Sequence, residues 1–142
     1  GPSAASFEEL PSSAGSAGTA EALFAAANRA RVSGDADRAI ALYLRLEGEF
    51  PRSSEALTAR LSLGLLLLRK GDARAALAHF RAYQSLGRGP TLVEAHWGEA
   101  QALRQLALAS DERAALLRLV ERFPDSVYAS ACRNRLRELD LP

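Results

Sequence analysis

The apolar residues of the chain follow a pattern that predicts a series of helices, and residues 54–70 form the most apolar of them. An amphipathic surface helix shows a single apolar stripe, whereas leucines surround Gly64 on nearly all sides, so we expect neighbouring helices on several sides. The segment is too short, and too interrupted by Arg60 and Ser62, to cross a bilayer. We therefore predict that it is the central helix of an all-helical stack.

Turn-forming residues divide the rest of the chain into further helices. Thr19 begins a helix that ends at the Gly34-Asp35 turn, and Asp35 can cap a second helix that runs to Pro51. Either Ser53 or Ser54 can accept a hydrogen bond from the first free backbone N–H groups of the apolar helix. The last predicted helix, over residues 127–140, has the charged outer face that a capping helix of a stack requires.

The first 18 residues are rich in Ser, Ala and Gly and have few large apolar side chains. Such a composition cannot offset the conformational entropy that ordering would cost. We therefore predict a disordered linker over residues 1–18, in which Gly1-Pro2-Ser3 is the remnant of a protease cleavage site. A helical-repeat domain is predicted over residues 19–142.

An internal repeat determines the predicted fold. The sequence GDADRAIALY, which begins at Gly34, recurs as GDARAALAHF from Gly71, 37 residues later. A shorter FP-x-S motif at Phe50 recurs at Phe123, 73 residues later and close to two such periods. A period of this size that contains a helix, a Gly-Asp turn and a second helix indicates a solenoid of helical hairpins.

These repeats resemble the tetratricopeptide repeat (TPR) family over residues 19–142. The family's pattern has a small residue in helix A, Gly-Asp in the turn, and a small Ala followed by an aromatic residue in helix B. The matching residues are Ala27, Gly34, Asp35, Ala39 and Tyr43 in the first repeat and Gly64, Gly71, Asp72, Ala76 and Phe80 in the second. The resemblance implies an all-α, right-handed superhelix of about three helical hairpins plus a C-terminal capping helix.

The third repeat departs from this pattern. Thr91 and Glu94 have the spacing of a capping box at the start of its first helix. Ala107 and Leu108 stand where Gly-Asp is expected, and Glu112 stands where the small Ala of helix B is expected. The sequence pattern therefore does not define the second half of this hairpin.

The residue types that carry chemistry are few and scattered. His79 and His96 fall on different repeats, and we expect a partly exposed surface residue and a packing residue, respectively. Cys132 is the only cysteine, which excludes an internal disulfide and a zinc cluster of cysteines. No nucleophile–base order, paired carboxylates or phosphate-binding loop is visible. We predict a protein that is not an enzyme and has no metal site and no cofactor.

The formal net charge of +1 gives the chain no long-range attraction to nucleic acid or to an acidic membrane. No stretch has the pattern of a signal peptide or of a membrane span. The predicted partners are therefore proteins or peptides, without nucleic acid and without direct insertion into a membrane.

The TPR resemblance implies a binding groove lined by the first helix of each hairpin. By position in these helices, the residues predicted to face the groove are Phe24, Asn28, Arg31, Thr58, Leu61, Leu65, Trp97, Gln101 and Arg104, and Asn134 of the last helix is predicted to continue it. Aromatic and arginine side chains are enriched at the energetic centres of protein interfaces. An alternative is that Leu65 and Leu68 are covered by a tight superhelix and that Trp97 packs on the C-terminal cap. The carboxylate clamp of some TPR domains is matched only at Asn28.

The FP-x-S junctions resemble one bacterial branch of the family, the repeats of periplasmic envelope proteins. These include the TPR domain of the Tol–Pal-associated cell-division coordinator and outer-membrane assembly lipoproteins. The resemblance implies a non-catalytic interaction module of an envelope-associated or membrane-tethered regulatory protein, in the periplasm, with the cytoplasm as the alternative. Two other functions stay open: a scaffold that self-associates, and an accessory domain of a larger enzyme.

Overall fold

The computed structural model of the chain describes residues 16–142, with side chains from residue 19. Within these residues the chain forms seven α-helices and no strand, which confirms the predicted all-α class. The helices are α1 (Ser16–Val32), α2 (Ala36–Glu49), α3 (Ser54–Arg69), α4 (Ala73–Leu86), α5 (Leu92–Gln105), α6 (Ala109–Arg122) and α7 (Ala129–Leu139). None of the helices in this part of the chain is long and apolar enough to span a membrane.

Helix α1 begins at Ser16, so it takes up the last three residues of the predicted linker, and the predicted start at Thr19 is wrong by that amount. Residues 16–18 are small and uncharged, so nothing in their side chains marks the boundary, and helix ends are the least determined part of such a prediction. Residues 1–15 of the predicted linker lie outside the described residues.

The chain divides into two compact units, Gly1–Ala59 and Arg60–Pro142. The described part of the first unit contains α1, α2 and the first residues of α3, and α1 packs against α2 as a hairpin. The second unit contains the remainder of α3 and the helices α4 to α7. In this unit α5 packs against both α4 and α6, and α7 packs against α6.

Three turns have the same backbone conformation, although two of them contain Gly-Asp and the third contains Ala107-Leu108. Gly34 and Gly71 adopt φ values of 87° and 91°, and Ala107 adopts a φ of 58° at the equivalent position. In each turn this residue donates its N–H to the carbonyl three residues earlier, and the next residue donates to the carbonyl five residues earlier. The hairpin of α5 and α6, which the sequence pattern did not define, therefore forms with alanine in the left-handed position.

The helix N-termini confirm the predicted caps at Asp35 and Ser53 and show a further one at Asp72. The Asp35 carboxylate accepts a hydrogen bond from the backbone N–H of Arg38 at 3.2 Å, and the Asp72 carboxylate accepts one from Ala75 at 3.3 Å. The Ser53 hydroxyl accepts from the N–H of Ala56 at 3.0 Å, so Ser53 caps α3. Each cap pairs a backbone donor that the first turn of a helix would otherwise leave unpaired.

The predicted capping box at Thr91 and Glu94 is wrong. Thr91 precedes α5 with helical dihedral angles, φ −82° and ψ −4°, and its side chain accepts no hydrogen bond from the first turn. A capping residue normally has a non-helical backbone, as Asp35 and Asp72 do. The Thr91 hydroxyl instead forms a hydrogen bond with the hydroxyl of Tyr83, a buried residue of α4.

The core of the second unit depends on a close approach of glycines to one aromatic ring. Phe80 of α4 is fully buried, and a Cβ atom added at Gly64 would lie 2.8 Å from its Cε1 atom. A Cβ atom added at Gly98 would lie 2.4 Å from the same atom. A small residue at Gly64 is part of the repeat pattern described above, whereas the close contact at Gly98 was not predicted.

Glu112 occupies the helix-B position where a small residue was expected, and it is only 2% exposed. Arg135 of α7 donates two hydrogen bonds to its carboxylate, from Nε at 2.7 Å and from Nη2 at 3.1 Å. A buried carboxylate is tolerated when it is paired and hydrogen-bonded in this way. Helix α6 therefore accommodates the departure from the repeat pattern because α7 supplies the opposite charge.

Candidate functional site

Three of the predicted groove residues in the first unit meet at Tyr43 of α2, which is fully buried. The Tyr43 hydroxyl donates a hydrogen bond to Oδ1 of Asn28 and accepts one from Nε of Arg31 at 3.2 Å. The ring of Phe24 lies against the ring of Tyr43 with centroids 6.4 Å apart. Since Phe24, Asn28 and Arg31 are spaced by four and three residues, they share one face of α1. Tyr43 orients this face, a role that its place as the aromatic residue of helix B in the repeat pattern did not predict.

Thr58, the remaining predicted residue of the first unit, is exposed on α3. Its hydroxyl donates to the backbone carbonyl of Ser54 at 3.2 Å, within its own helix. This contact is the usual local one for a threonine inside a helix. It does not connect Thr58 to the residues around Tyr43.

Trp97 is a predicted groove residue of the second unit that contacts both a neighbouring aromatic ring and the buried core. It is half-buried and stacks on Tyr128, just before α7, with ring centroids 5.0 Å apart and the planes inclined by 15°. Its inner side packs against a core that includes Leu103 and Leu116. Burial raises the pKa of Tyr128, and a hydrogen bond to the carboxylate of Glu94 raises it further. Trp97 therefore does pack on the C-terminal cap, as the alternative interpretation held, while part of its ring stays accessible.

The other predicted residues of the second unit are accessible to different degrees. Leu61 and Gln101 are half-buried, while Leu65 and Arg104 are exposed. Asn134 is exposed on α7 and accepts a hydrogen bond from a residue of its own helix. No predicted groove residue belongs to the buried core. This accessibility is compatible with partner binding, and the assignment of these residues to a binding groove stays a prediction.

A second polar arrangement, centred on Glu99 of α5, was not predicted. Glu99 is 3% exposed, and its carboxylate accepts hydrogen bonds from Arg81 at 2.9 Å and from Gln84 at 3.1 Å. Nη2 of Arg118, in α6, lies 3.5 Å from the same carboxylate. The only signal in the sequence was a charged residue between Gly98 and Ala100, two small residues of the same helix.

His96 lies beside this arrangement and is buried, as expected for a packing residue. Its ring lies 5.5 Å from the ring of Phe123, and its Nε2 atom is 3.4 Å from Nη1 of Arg122. Burial lowers the pKa of His96, and the positive charge of Arg122 lowers it further. The imidazole is therefore neutral near pH 7.

No residues suited to holding a metal ion come together in the described part of the chain, where no three His, Cys, Asp or Glu side chains are close enough to share one. Cys132 is fully buried, and burial raises the pKa of its thiol. A raised thiol pKa disfavours the thiolate that nucleophilic chemistry needs.

Among solved structures, the chain is similar to the TPR domain of Arabidopsis OM64. The two superpose with a TM-score of 0.72 at 15% sequence identity, over 85% of this chain and 96% of that domain. No protein-family model and no curated protein sequence matches the chain. At this identity the likeness concerns the fold alone.

The structure therefore defines an all-α protein with the fold of a TPR domain, a solenoid of helical hairpins. This confirms the fold that the internal repeat predicted. The bacterial envelope branch that the FP-x-S junctions suggested stays a prediction.

Proposed function

We propose that this chain is a non-catalytic protein-interaction module that binds a segment of a partner protein. In the second unit, the binding surface is the face of α5 that carries Trp97, Gln101 and Arg104, together with Leu61 and Leu65 of α3. In the first unit, the face of α1 that carries Phe24, Asn28 and Arg31 is a separate binding surface. The TPR fold supports this proposal, since the family resemblance implies binding of extended or helical peptides.

The observation that carries the proposal is the state of Trp97. Stacking on Tyr128 fixes the orientation of the indole while part of its surface stays accessible. A rigid aromatic side chain offers apolar contact area at a low cost in conformational entropy, as interface hot spots do. Gln101 and Arg104 follow on the same helix face at spacings of four and three residues, and they offer donors to backbone carbonyls or carboxylates.

The finer proposal concerns the parent protein. The FP-x-S junctions at Phe50 and Phe123 support a bacterial envelope-associated or membrane-tethered regulatory protein, with the periplasm as its compartment. The small net charge supports protein partners over nucleic acid. In such a protein this chain would recruit a partner and carry out no chemistry of its own.

The experiment is selection of peptides from a displayed random library on the purified chain, followed by affinity measurement for three variants. Trp97→Ala should weaken the binding free energy of the selected peptides by about 2 kcal/mol or more. Leu65→Ala should also weaken them, whereas Leu44→Ala is a matched control on α2, because the two leucines are 39% and 47% exposed. Denaturant unfolding of each variant separates binding from stability.

If Trp97 acted only as a core residue, Trp97→Ala would lower the free energy of unfolding by about 3–5 kcal/mol and leave the peptide affinity intact. That result, or equal losses of affinity for Leu65→Ala and Leu44→Ala, would contradict the proposed surface. Light scattering on the same samples tests the alternative of a self-associating scaffold. If the molecular mass stays that of a monomer at all concentrations, this alternative is excluded.

A further inference from the structure

Three arginines contact buried polar residues of α5 in the second unit, where α5 packs against α4 and α6, and two of the three share one buried carboxylate. Arg81 of α4 and Arg118 of α6 approach opposite oxygens of Glu99, at 2.9 Å and 3.5 Å. Glu99 is almost fully buried, but about half of each arginine side chain is accessible, 51% and 52% respectively. The buried carboxylate therefore holds two guanidinium groups whose outer parts face solvent.

Arg122 adds a third cation whose charge is not neutralised. Its contacts in the described part of the chain are the neutral imidazole of His96 at 3.4 Å and the ring of Phe123, whose centroid is 5.4 Å from Cζ. Neither group carries a negative charge near pH 7. Glu121, exposed on the same helix, forms no salt bridge with Arg122 among residues 16–142.

Positive charge exceeds negative charge in this cluster. Arg81 and Arg118 share the single carboxylate of Glu99, and Arg122 has no carboxylate partner among the described residues, so the cluster of Arg81, Arg118 and Arg122 has unpaired positive charge. Each guanidinium has five N–H donors, and Arg81 uses only its Nε in the contact with Glu99. The remaining donors are available, and Glu99 already restrains two of the side chains, which lowers the entropy cost of binding a ligand.

We propose that this arginine cluster is a binding site for an acidic segment of a partner protein, recognised through Asp or Glu carboxylates. Guanidinium groups match carboxylates in shape and bind them through paired hydrogen bonds. The site differs from the surface proposed above, because Glu99 lies two residues after Trp97 and about 200° around α5 from it. Three arginines in a chain of net charge +1 are too few for the counterion release that tight nucleic-acid binding requires.

The test uses the full chain with a synthetic hexaglutamate peptide as the probe and hexaglutamine as its neutral counterpart. Affinity is measured by fluorescence anisotropy at 50 mM NaCl, for the wild type and two double variants. Arg118→Gln with Arg122→Gln removes two cations of the cluster. Arg52→Gln with Arg69→Gln removes two exposed arginines elsewhere and is the matched control, because the net charge changes equally.

We expect hexaglutamate to bind and hexaglutamine not to bind. The double substitution in the cluster should weaken the affinity for hexaglutamate at least about tenfold. The control variant should change the affinity less than about twofold, and 300 mM NaCl should weaken the wild type because accessible charges are screened. Equal losses in the two double variants would overturn the proposal, since they would indicate attraction by net charge alone.

A second measurement does not depend on any variant folding. Amide and arginine Nε resonances of the labelled wild type should shift on addition of hexaglutamate around Arg81, Arg118 and Arg122. Shifts confined to other helices would overturn the proposal. Tighter binding of a 12-nucleotide single-stranded DNA than of hexaglutamate would also overturn it, because it would identify the ligand as a polyphosphate chain.

Discussion

Replacing Gly98 by alanine should destabilise the second unit, because Phe80 occupies the space that the new methyl group would enter. The added Cβ atom would lie 2.4 Å from the Cε1 and Cζ atoms of the ring, whereas ordinary contacts are 3.4–4 Å. The ring or the helix would therefore have to move by about 1 Å. Phe80 is fully buried, and the same edge of its ring also lies against Gly64, which restricts the movement.

The expected magnitude follows from two opposing effects. Overpacking of a core contact costs about 1–3 kcal/mol, while alanine favours a helix interior over glycine by about 1 kcal/mol. For Gly98→Ala, which has the shorter contact, we expect a net loss of about 2 kcal/mol in the free energy of unfolding. Gly64→Ala requires a smaller shift, since its nearest distance is 2.8 Å, and should be close to neutral or lose about 1 kcal/mol.

Urea unfolding followed by circular dichroism measures these changes as shifts of the midpoint. Gly48→Ala is the control, because Gly48 is exposed in α2 and nothing lies within 4 Å of an added Cβ. This variant should gain about 0.5–1 kcal/mol from helix propensity alone. In a Phe80→Leu background the cost of Gly98→Ala should shrink, since the ring edge is gone. If Gly98→Ala stabilised the chain as Gly48→Ala does, the inferred steric contact would be refuted.

Three further variants test the third hairpin and its contact with α7 by the same unfolding measurement. Arg135→Leu should cost about 3–5 kcal/mol because it leaves the buried carboxylate of Glu112 without a partner. Arg113→Leu, whose partner Asp140 is exposed, should cost less than about 1 kcal/mol, and equal losses would argue against burial as the cause. Ala107→Gly should stabilise the chain by up to about 1 kcal/mol, because alanine is disfavoured at a φ of 58°, and a lowered midpoint would contradict this.

The fold could be predicted because its determinants are local and repeated. The Gly34-Asp35 and Gly71-Asp72 turns combine a left-handed glycine with a capping aspartate, and both features act within a few residues. The backbone hydrogen bonds of the third turn are the same even though Ala107 replaces glycine. A conformation that costs alanine about 1–2 kcal/mol can persist when the packing of α5 and α6 fixes it.

The features that the sequence missed depend on partners in other helices. Glu112 appeared to be a misfit because its partner, Arg135, is 23 residues away in another helix. The capping box at Thr91 failed for a similar reason, since the hydroxyl of Tyr83 competes for the threonine side chain. Rules based on residue spacing consider only the neighbours within one helix. They therefore do not detect a partner, or a competing hydrogen-bonding group, in another helix.

For the candidate site, the sequence predicted which residues are accessible but did not predict the contacts that orient them. Helical periodicity separates accessible faces from buried ones, and no residue predicted for the groove belongs to the buried core. Periodicity does not reveal which side chains of other helices orient the residues predicted for the groove. Tyr43, which holds Asn28 and Arg31, and Tyr128, which stacks on Trp97, emerge only from the packing of one helix on another.

The C-terminal segment has a larger role than that of a polar cap. A cap needs only to cover the last apolar face and present charge to solvent. Residues 128–140 in addition place Tyr128 on Trp97, Cys132 in the core and Arg135 on the carboxylate of Glu112. Because Glu112 is charged and buried, α6 is compatible with a compact second unit only while α7 supplies the arginine. The same segment therefore sustains the hairpin that deviates most from the repeat pattern and orients the aromatic residue on which the proposed binding surface depends.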